Sequence, residues 1–183
     1  MQIVFTAHDE PDTDRFGAVL AEVLPAGSVV ALVGTLGAGK TRLVQAIAKA
    51  VGIDPQEVVS PTYVLVHEYQ GRVQGSEFRV EQSSSPGHQT PAILIYHLDA
   101  YRIRDDDEFL ELGPEEYFES DGWTFVEWAD RVARCLPREH WRIEIDVIGP
   151  GQRRFTVTSL GDQYQKSMDA LRGHPSGLSW HSE

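Results

Sequence analysis

The eight residues GTLGAGKT, at positions 34–41, restrict the fold of this chain more than any other segment. They follow the apolar run SVVALV and lead into KTRLVQAIAKAV, whose apolar residues recur at helical spacing. Gly34, Gly39, Lys40 and Thr41 match the pattern G-x-x-x-x-G-K-[ST], in which glycines let successive backbone amides turn toward one anion. The segment therefore predicts a strand buried on both faces, a phosphate-binding loop and a helix, in that order.

This loop predicts binding of a nucleoside triphosphate together with Mg²⁺. Lys40 is expected to reach the terminal phosphates, and the Thr41 hydroxyl is expected to coordinate the metal. The helix that follows adds its unpaired N–H groups and its positive end. The candidate nucleotide-binding residues of the segment are Gly34, Thr35, Leu36, Gly37, Ala38, Gly39, Lys40 and Thr41.

The charge balance argues against some functions. The chain has 183 residues, with 16 Lys and Arg against 28 Asp and Glu, which gives a net charge of −12. Because this charge repels a nucleic-acid backbone, tight direct binding of tRNA or DNA is not expected, and a basic or protein partner fits better. The single cysteine, Cys135, allows no internal disulfide, which fits a reducing cytosol. The sequence shows neither a signal-peptide pattern nor an apolar run of about 18 residues, so a cytoplasmic protein with no membrane span is expected.

The rest of the pattern predicts an α/β domain over residues 1–160. The runs QIVF, TYVLVHEY, AILIYHLD and WTFVEW predict strands, whereas PDTDRFGAVLAEVL, DDDEFLEL and ADRVARCL predict helices. The segments WRIEIDVIG and RRFTVTSL, joined by a Gly-Pro-Gly turn, predict a C-terminal hairpin. Residues 71–90 are polar and turn-rich, which predicts a flexible insertion, and residues 161–183 are interpreted as a polar, poorly ordered tail.

A magnesium-bound triphosphate needs a carboxylate in addition to the Thr41 hydroxyl, and two residues qualify. Such an acid usually ends a buried strand beside the loop. Asp99 follows AILIYHL and Glu127 follows WTFV, and parallel strands present their carboxyl ends at one edge of a sheet. The residue pattern does not rank the two acids, and each is also consistent with a strand-end acid that faces solvent.

Polar residues close to these acids suggest further roles. His97 and Asp99 are two apart and so share one face of a strand, a spacing that suits a transition-metal pair but lacks a third ligand. A switch or water-positioning role near the γ-phosphate needs no third ligand, so it is the preferred interpretation of this pair. Pro61 restrains Ser60 to an extended backbone, so Thr62 could offer its hydroxyl to the metal or the γ-phosphate. The alternative for this segment is an ordinary turn before a strand.

Four motifs together resemble the bacterial TsaE family, the ATPase component of the machinery that makes threonylcarbamoyladenosine in tRNA. In chain order they are GTLGAGKT (34–41), SPTY (60–63), YHLDAYR (96–102) and VEWADR (126–131). The combination is more specific than the phosphate loop alone, because three otherwise weak motifs follow it in the expected order. The resemblance covers residues 1–160.

The resemblance implies a small P-loop NTPase with a mainly parallel sheet, helices on both faces and added antiparallel strands. The catalytic residues it implies are Lys40, Asp99, Thr62 and Glu127. The metal contacts it implies are Thr41 and Glu127, which favours Glu127 over Asp99. It also implies that Glu10 reaches the adenine side and that Trp128 accompanies the glutamate.

The activity implied by the resemblance is a Mg²⁺-dependent ATPase that is slow alone and stimulated by protein partners. In that family the ATPase docks on TsaB and TsaD, and TsaD transfers the threonylcarbamoyl group. Contact with tRNA is therefore expected only indirectly, through the complex. ATP binding and hydrolysis are expected to reset that complex between turnovers.

Three rival functions are consistent with a phosphate-binding loop. A small-molecule kinase usually carries arginines on a lid, and the acidic DDDEFLEL segment does not suit one. A GTPase of the Ras type reads guanine with N-K-x-D, but this chain contains no asparagine. A non-catalytic module would use ATP only to order an interaction surface. Arg102 and Arg131 are candidates for a catalytic arginine, although surface ion pairing would explain either residue.

Overall fold

The computed structural model describes residues 2–72, 92–175, 178, 180 and 181. From residue 73 onward, the predicted insertion at 71–90 lies outside the described residues. The strands are β1 (Gln2–Ala7), β2 (Val29–Val33), β3 (Val66–Arg72), β4 (Ala92–Asp99), β5 (Trp123–Glu127), β6 (His140–Gly149), β7 (Gln152–Leu160) and β8 (Trp180–His181). The helices are α1 (Glu10–Val23), α2 (Lys40–Ala50), α3 (Asp106–Leu110), α4 (Pro114–Phe118), a 3-10 helix (Ala129–Val132) and α5 (Gln165–Arg172).

The described strands form one sheet in the order β3-β4-β5-β2-β6-β7-β1-β8. Its centre is parallel, because β4 pairs with β5, β5 with β2, and β2 with β6 in that sense. Parallel pairing brings the carboxyl ends of these four strands to one edge of the sheet. The loop after β2 and the acids that end β4 and β5 therefore lie along the same edge.

Alternation along the central strands produces two apolar cores, one on each face of the sheet. Val30 and Leu32 of β2 belong to the core that α1, α2 and α5 cover. Ala31, between them, belongs to the second core, together with Phe109 of α3 and Val132 of the 3-10 helix. Helices thus lie on both faces, as predicted, and β2 is an apolar run because both of its faces are buried.

The antiparallel half of the sheet is larger than the sequence predicted. The hairpin of β6 and β7 is confirmed, with its turn after Gly149. β7 also pairs with β1, β1 with β8, and β3 with β4, all antiparallel. The described sheet therefore has four antiparallel and three parallel pairings, and the description "mainly parallel" fits only its centre.

The chain beyond residue 160 differs from the poorly ordered tail that its polar composition predicted. Helix α5 buries Met168 and Leu171 against the first core. Strand β8 pairs with β1, and the ring of Trp180 lies 5.4 Å from that of Phe5, measured between centroids. A few well-spaced apolar residues are enough to dock a polar segment, because only one face of a surface helix needs to be apolar.

Three other predicted elements are shorter than the sequence segments that predicted them. The segment TYVLVHEY is a turn up to Leu65, and its strand starts at Val66. ADRVARCL forms only the short 3-10 helix, and DDDEFLEL yields the five residues of α3. Among the described residues, no helix combines the length and the apolar character needed to cross a membrane.

Candidate functional site

The glycine-rich loop lies between the end of β2 and the start of α2. Three of its glycines have positive φ, with values of 153° at Gly34, 75° at Gly37 and 111° at Gly39. A Cβ at Gly34 would also meet the Ile145 carbonyl oxygen of β6 at 2.6 Å. These positions need glycine because L side chains strain such backbone angles and, at Gly34, because the neighbouring strand leaves no space.

Lys40 begins helix α2 and folds back over the loop. Its Nζ donates hydrogen bonds to the carbonyl oxygens of Gly34, at 2.8 Å, and Thr35, at 3.0 Å. The ammonium group also lies 3.6 Å from the centroid of the Trp128 ring, and the residue is only 4% exposed. Burial lowers the pKa of Lys40, although the nearby carboxylates of Glu127 and Asp99 oppose that shift. A buried cation at this point creates a site that favours an anionic ligand.

Glu127, the last residue of β5, faces the first turn of α2. Its Oε1 accepts a hydrogen bond from the Thr41 hydroxyl at 2.6 Å, although the two residues are 86 positions apart. The same oxygen lies 2.8 Å from Nε2 of His97, which is fully buried on β4. Glu127 is itself only 3% exposed, so its carboxylate is held in one place by the loop helix and by the neighbouring strand.

Asp99, the last residue of β4, is the register partner of Glu127 and faces a different segment. Its Oδ2 accepts hydrogen bonds from the hydroxyls of Ser60 and Thr62, both at 2.7 Å. Its Oδ1 accepts the backbone N–H of Tyr101 at 2.8 Å. Asp99 is 2% exposed, and it fixes the segment before β3 against the carboxyl edge of the sheet.

These groups surround one open cavity of about 400 Å³. Its lining joins the glycine loop, the start of α2, the segment before β3 and the ends of β4 and β5. The lining residues are Leu36, Gly37, Gly39, Lys40, Thr41, Arg42, Ser60, Thr62, Asp99, Tyr101, Glu127 and Trp128. Every catalytic and metal residue predicted from the sequence therefore lines this cavity, and their roles stay predictions.

Four of the predicted nucleotide-binding residues are not among the residues that line that cavity: Gly34, Thr35 and Ala38 of the loop, and Glu10. Glu10 is the one among them that lies outside the loop. It begins helix α1, its side chain is 80% exposed, and its Oε2 lies 3.5 Å from Nε of Arg42. It lines a second cavity of about 220 Å³, which Gly37, Gly39 and Arg153 also line. The glycine loop borders both cavities, so a ligand on the loop could extend toward either.

The two candidate catalytic arginines have other contacts. The guanidinium of Arg102 lies 4.3 Å from the centroid of the Tyr63 ring, and Nη2 of Arg131 donates to the Ile103 carbonyl at 2.8 Å. Neither residue lines the larger cavity. Across the part of the chain that the structure describes, no three His, Cys, Asp or Glu side chains form a metal-binding group. The transition-metal hypothesis for His97 and Asp99 therefore gains no third ligand.

Sequence reasoning missed several residues at this site, including Arg42 and Tyr101 of the larger cavity. Two others make contacts that bear on its geometry. Ser60 is as close to Asp99 as Thr62 is, and its place beside Thr62 in SPTY was the only available signal. Arg153 donates from Nε to the Ala38 carbonyl at 2.7 Å, across 115 positions of sequence. No sequence pattern indicated that contact, because it depends on how β7 is placed beside β6.

Comparison with known proteins agrees with this fold. The family model described as threonylcarbamoyl adenosine biosynthesis protein TsaE matches residues 7–155, which include the loop, both acids and Arg153. The chain belongs to the TsaE family. The match extends well past the four motifs, because it also spans helix α1 and most of the C-terminal hairpin.

Individual relatives match over most of their length. The chain is 35% identical to the tRNA threonylcarbamoyladenosine biosynthesis protein TsaE of Treponema pallidum, over 80% of this chain and 93% of that protein. It is 31% identical to the protein of the same name from Bacillus subtilis, over 94% and 96%. The crystal structure of Bacillus subtilis YdiB matches with a TM-score of 0.69 and 26% identity, over 95% of this chain and 96% of that one.

Proposed function

We propose that this protein is the ATP-binding and ATP-hydrolysing component of the machinery that makes threonylcarbamoyladenosine in tRNA. The observation that carries the proposal is the 2.6 Å contact between the Thr41 hydroxyl and Glu127, beside a loop with three positive-φ glycines. Membership in the TsaE family supports the role in this tRNA modification. The resemblance of the motifs supports TsaB and TsaD as the partners of the chain.

A triphosphate fits the chemistry of the larger cavity. The loop offers backbone amides and the positive end of α2, which are the usual partners of phosphate oxygens. Lys40 adds a buried cation that donates hydrogen bonds to the uncharged carbonyls of Gly34 and Thr35. An ammonium group gains more from a phosphate than from these carbonyls, so Lys40 is expected to transfer its hydrogen bonds to the β- and γ-phosphates.

Magnesium fits the oxygen atoms of Thr41 and Glu127. Hydroxyl and carboxylate oxygens are the ligands that Mg²⁺ prefers, and nucleotide phosphates usually complete its coordination. When bound, Mg²⁺ neutralises charge on the transferred phosphate. Glu127 is positioned for this role by His97, whose Nε2 lies 2.8 Å from the carboxylate oxygen.

Hydrolysis then depends on positioning rather than on covalent chemistry. Lys40 and the loop amides stabilise charge on the leaving phosphates. Asp99 holds the hydroxyls of Ser60 and Thr62 at the same cavity, and this trio is the candidate for orienting the attacking water. The net charge of −12 is compatible with a division of labour in which the partner proteins contact the tRNA.

The proposal is tested by assaying tRNA modification with purified TsaB and TsaD, with and without this chain and ATP. We expect repeated turnover only when the chain and ATP are both present, and faster phosphate release by the chain when the partners are added. Equal modification without the chain, or equal phosphate release with and without the partners, would contradict the proposal. Phosphate release in the absence of any acceptor also separates an ATPase from a small-molecule kinase.

A further inference from the structure

Arg153 contacts the glycine loop at carbonyls other than those that Lys40 contacts. It is the second residue of β7, and β7 starts at the carboxyl edge of the parallel strands because the hairpin with β6 turns there. Its Nε donates to the Ala38 carbonyl at 2.7 Å, and its Nη2 donates to the Gly37 carbonyl at 3.4 Å. The Nη1 donates to the carbonyl of the adjacent Gln152 at 2.9 Å.

Two cations therefore hold the loop by its carbonyl oxygens. Lys40 takes the carbonyls of Gly34 and Thr35, whereas Arg153 takes those of Gly37 and Ala38. The two contacts are expected to behave differently when a nucleotide binds. Lys40 is expected to exchange its carbonyls for phosphate oxygens, but Arg153 can keep both of its loop contacts.

The backbone angles of the loop explain why such a contact matters. Gly37 and Gly39 have positive φ, a conformation that glycine adopts freely but does not hold by itself. Each planar peptide unit couples a carbonyl to the N–H of the next residue, so a held carbonyl also holds that N–H. The Gly37 carbonyl is coupled to the Ala38 N–H, which donates to the Thr35 carbonyl at 3.1 Å, and the Ala38 carbonyl is coupled to the Gly39 N–H. A guanidinium is suited to this task because its donors form a rigid planar fork.

We propose that Arg153 is a positioning residue, which holds the Gly37 and Ala38 carbonyls and so keeps the loop in the conformation that binds a phosphate. The proposal rests on the proposed function in one respect, since it assumes that a phosphate occupies that cavity. It assigns no contact with the phosphate itself to Arg153. Loss of the guanidinium should therefore loosen the loop in the free protein and weaken any ligand that uses its amides.

The experiment compares Arg153→Met with Arg154→Met in the full chain. Arg154 is the next residue of β7, it is exposed, and it points to the other face of the sheet, so this control removes the same charge from the same strand. Three quantities are measured: amide hydrogen exchange at residues 37–40, binding of inorganic pyrophosphate, and binding of ATP with Mg²⁺. Pyrophosphate is included because it has phosphates but no nucleoside.

We expect faster exchange at residues 37–40 in Arg153→Met, because both of its hydrogen bonds to the loop are lost. We also expect about tenfold weaker binding of both ligands, because the loop would have to be ordered when they bind. Arg154→Met should match the wild type in all three measurements. Wild-type exchange and binding in Arg153→Met would overturn the proposal. Weaker ATP binding with unchanged pyrophosphate binding would also overturn it, because Arg153 would then contact the nucleoside in the smaller cavity.

A second variant, which keeps the positive charge, tests the proposal if the first variant does not fold. If Arg153→Met does not fold, Arg153→Lys decides, because a lysine retains the charge but not the planar fork. Faster loop exchange with weaker pyrophosphate binding in Arg153→Lys supports the proposal, and wild-type values overturn it. If the wild type itself binds no nucleotide, the proposed function fails, whereas the exchange measurement still tests the role of Arg153.

Discussion

Asp99 and Glu127 occupy equivalent places on neighbouring strands but have different partners. Each ends a parallel strand, each is almost fully buried, and the two are register partners. Glu127 faces the first turn of α2 and bonds to Thr41, whereas Asp99 faces the segment before β3 and bonds to Ser60 and Thr62. Position at the edge of a sheet thus brings an acid to the site, but the element opposite the acid determines its role.

The different partners of Asp99 and Glu127 suggest separate roles in nucleotide binding and in hydrolysis, which a single assay of activity does not distinguish. The region around Glu127 is expected to govern metal-dependent nucleotide binding, because it contains the hydroxyl and carboxylate that suit Mg²⁺. The region around Asp99 is expected to govern hydrolysis after binding, because its trio of polar groups lines the same cavity without contacting Thr41. The following predictions test this division, from the largest effect to the smallest.

Glu127→Gln should have the largest effect. We expect ATP hydrolysis to fall roughly 1,000-fold and the Mg²⁺-dependent part of ATP binding to disappear, because a neutral amide is a poor magnesium ligand. Calorimetry with and without Mg²⁺ measures the binding, and phosphate release measures the hydrolysis. Glu116→Gln on α4 is the control, since Glu116 is exposed and lies outside the cavity lining. Hydrolysis at the wild-type rate in Glu127→Gln would remove Glu127 from the mechanism.

Asp99→Asn should lower hydrolysis but, unlike Glu127→Gln, largely preserve the binding of ATP. An amide cannot accept the hydrogen bonds from Ser60, Thr62 and the Tyr101 N–H equally well, so the segment before β3 loses part of its anchor. We expect hydrolysis to fall roughly 100-fold while Mg²⁺-dependent ATP binding changes less than about threefold. The same two assays apply. If Asp99→Asn abolished the metal-dependent binding and Glu127→Gln preserved it, the two assignments would have to be exchanged.

His97→Phe should resemble the Glu127 variant, although His97 lies two residues from Asp99 on the same strand. Its Nε2 contacts the Glu127 carboxylate, so its loss should affect the metal side of the site. We expect about tenfold weaker Mg²⁺ affinity in the ATP complex, at the low end for a residue that orients a metal ligand. A magnesium titration of ATP binding measures this. His67→Phe on β3 is the matched control, and an equal effect of both variants would mean a general loss of packing.

Thr62→Val should show a smaller effect on the Asp99 side. The substitution keeps the shape of the side chain but removes the hydroxyl that donates to Asp99. We expect hydrolysis to fall about fivefold, the effect of one hydrogen bond, with unchanged ATP affinity. Thr62→Ser retains the hydroxyl and should restore most of the rate. A Thr62→Ser variant as slow as Thr62→Val would show that the methyl group, and not the hydroxyl, is what matters.

His140→Gln should alter stability without altering either function. His140 starts β6 at the opposite edge of the sheet from the site, and its Nδ1 lies 2.7 Å from the Pro137 carbonyl. The free energy of unfolding should fall by about 1 kcal/mol at pH 7.5, because one hydrogen bond is lost. Thermal unfolding measures the change. A loss of ATP affinity in this variant would contradict the expectation that His140, at the edge of the sheet opposite the site, does not affect nucleotide binding.

The same residue gives a pH dependence with a definite sign. Burial lowers the pKa of His140 in the folded protein, so the unfolded chain binds the proton more readily. Its contribution to stability is full above the unfolded pKa, about 6.5, and decreases as the pH falls through the folded value. The stability gap between the wild type and His140→Gln should therefore narrow between pH 7.5 and pH 5. A gap that widens on acidification would contradict this sign.

Much of the fold could be predicted because its signals are local. Val29–Val33 is apolar at every position, which is typical of a strand covered on both faces, and the structure confirms it. The hairpin of β6 and β7 follows from alternation around a Gly-Pro-Gly turn. The polar composition of residues 161–183 predicted a poorly ordered tail. The docking of Met168, Leu171 and Trp180 could not be predicted, because it depends on contacts with α1 and β1.

The site could be predicted only in part. Reasoning from the residues identified both Asp99 and Glu127 as strand-end acids but could not distinguish between them. The structure distinguishes them by their neighbours, since only Glu127 reaches Thr41. The contact of Arg153 with Ala38 spans 115 positions and depends on strand order, so no local pattern could have indicated it.

The sequence by itself determined the loop at residues 34–41, because glycine content, a preceding apolar strand and a following helix are all local properties of the chain. It also determined which acids end buried strands. Only the tertiary structure decided which of these acids faces α2 and which arginine holds the loop. The physical reason is that these contacts join residues far apart in the chain, and their positions follow from the pairing order of the sheet.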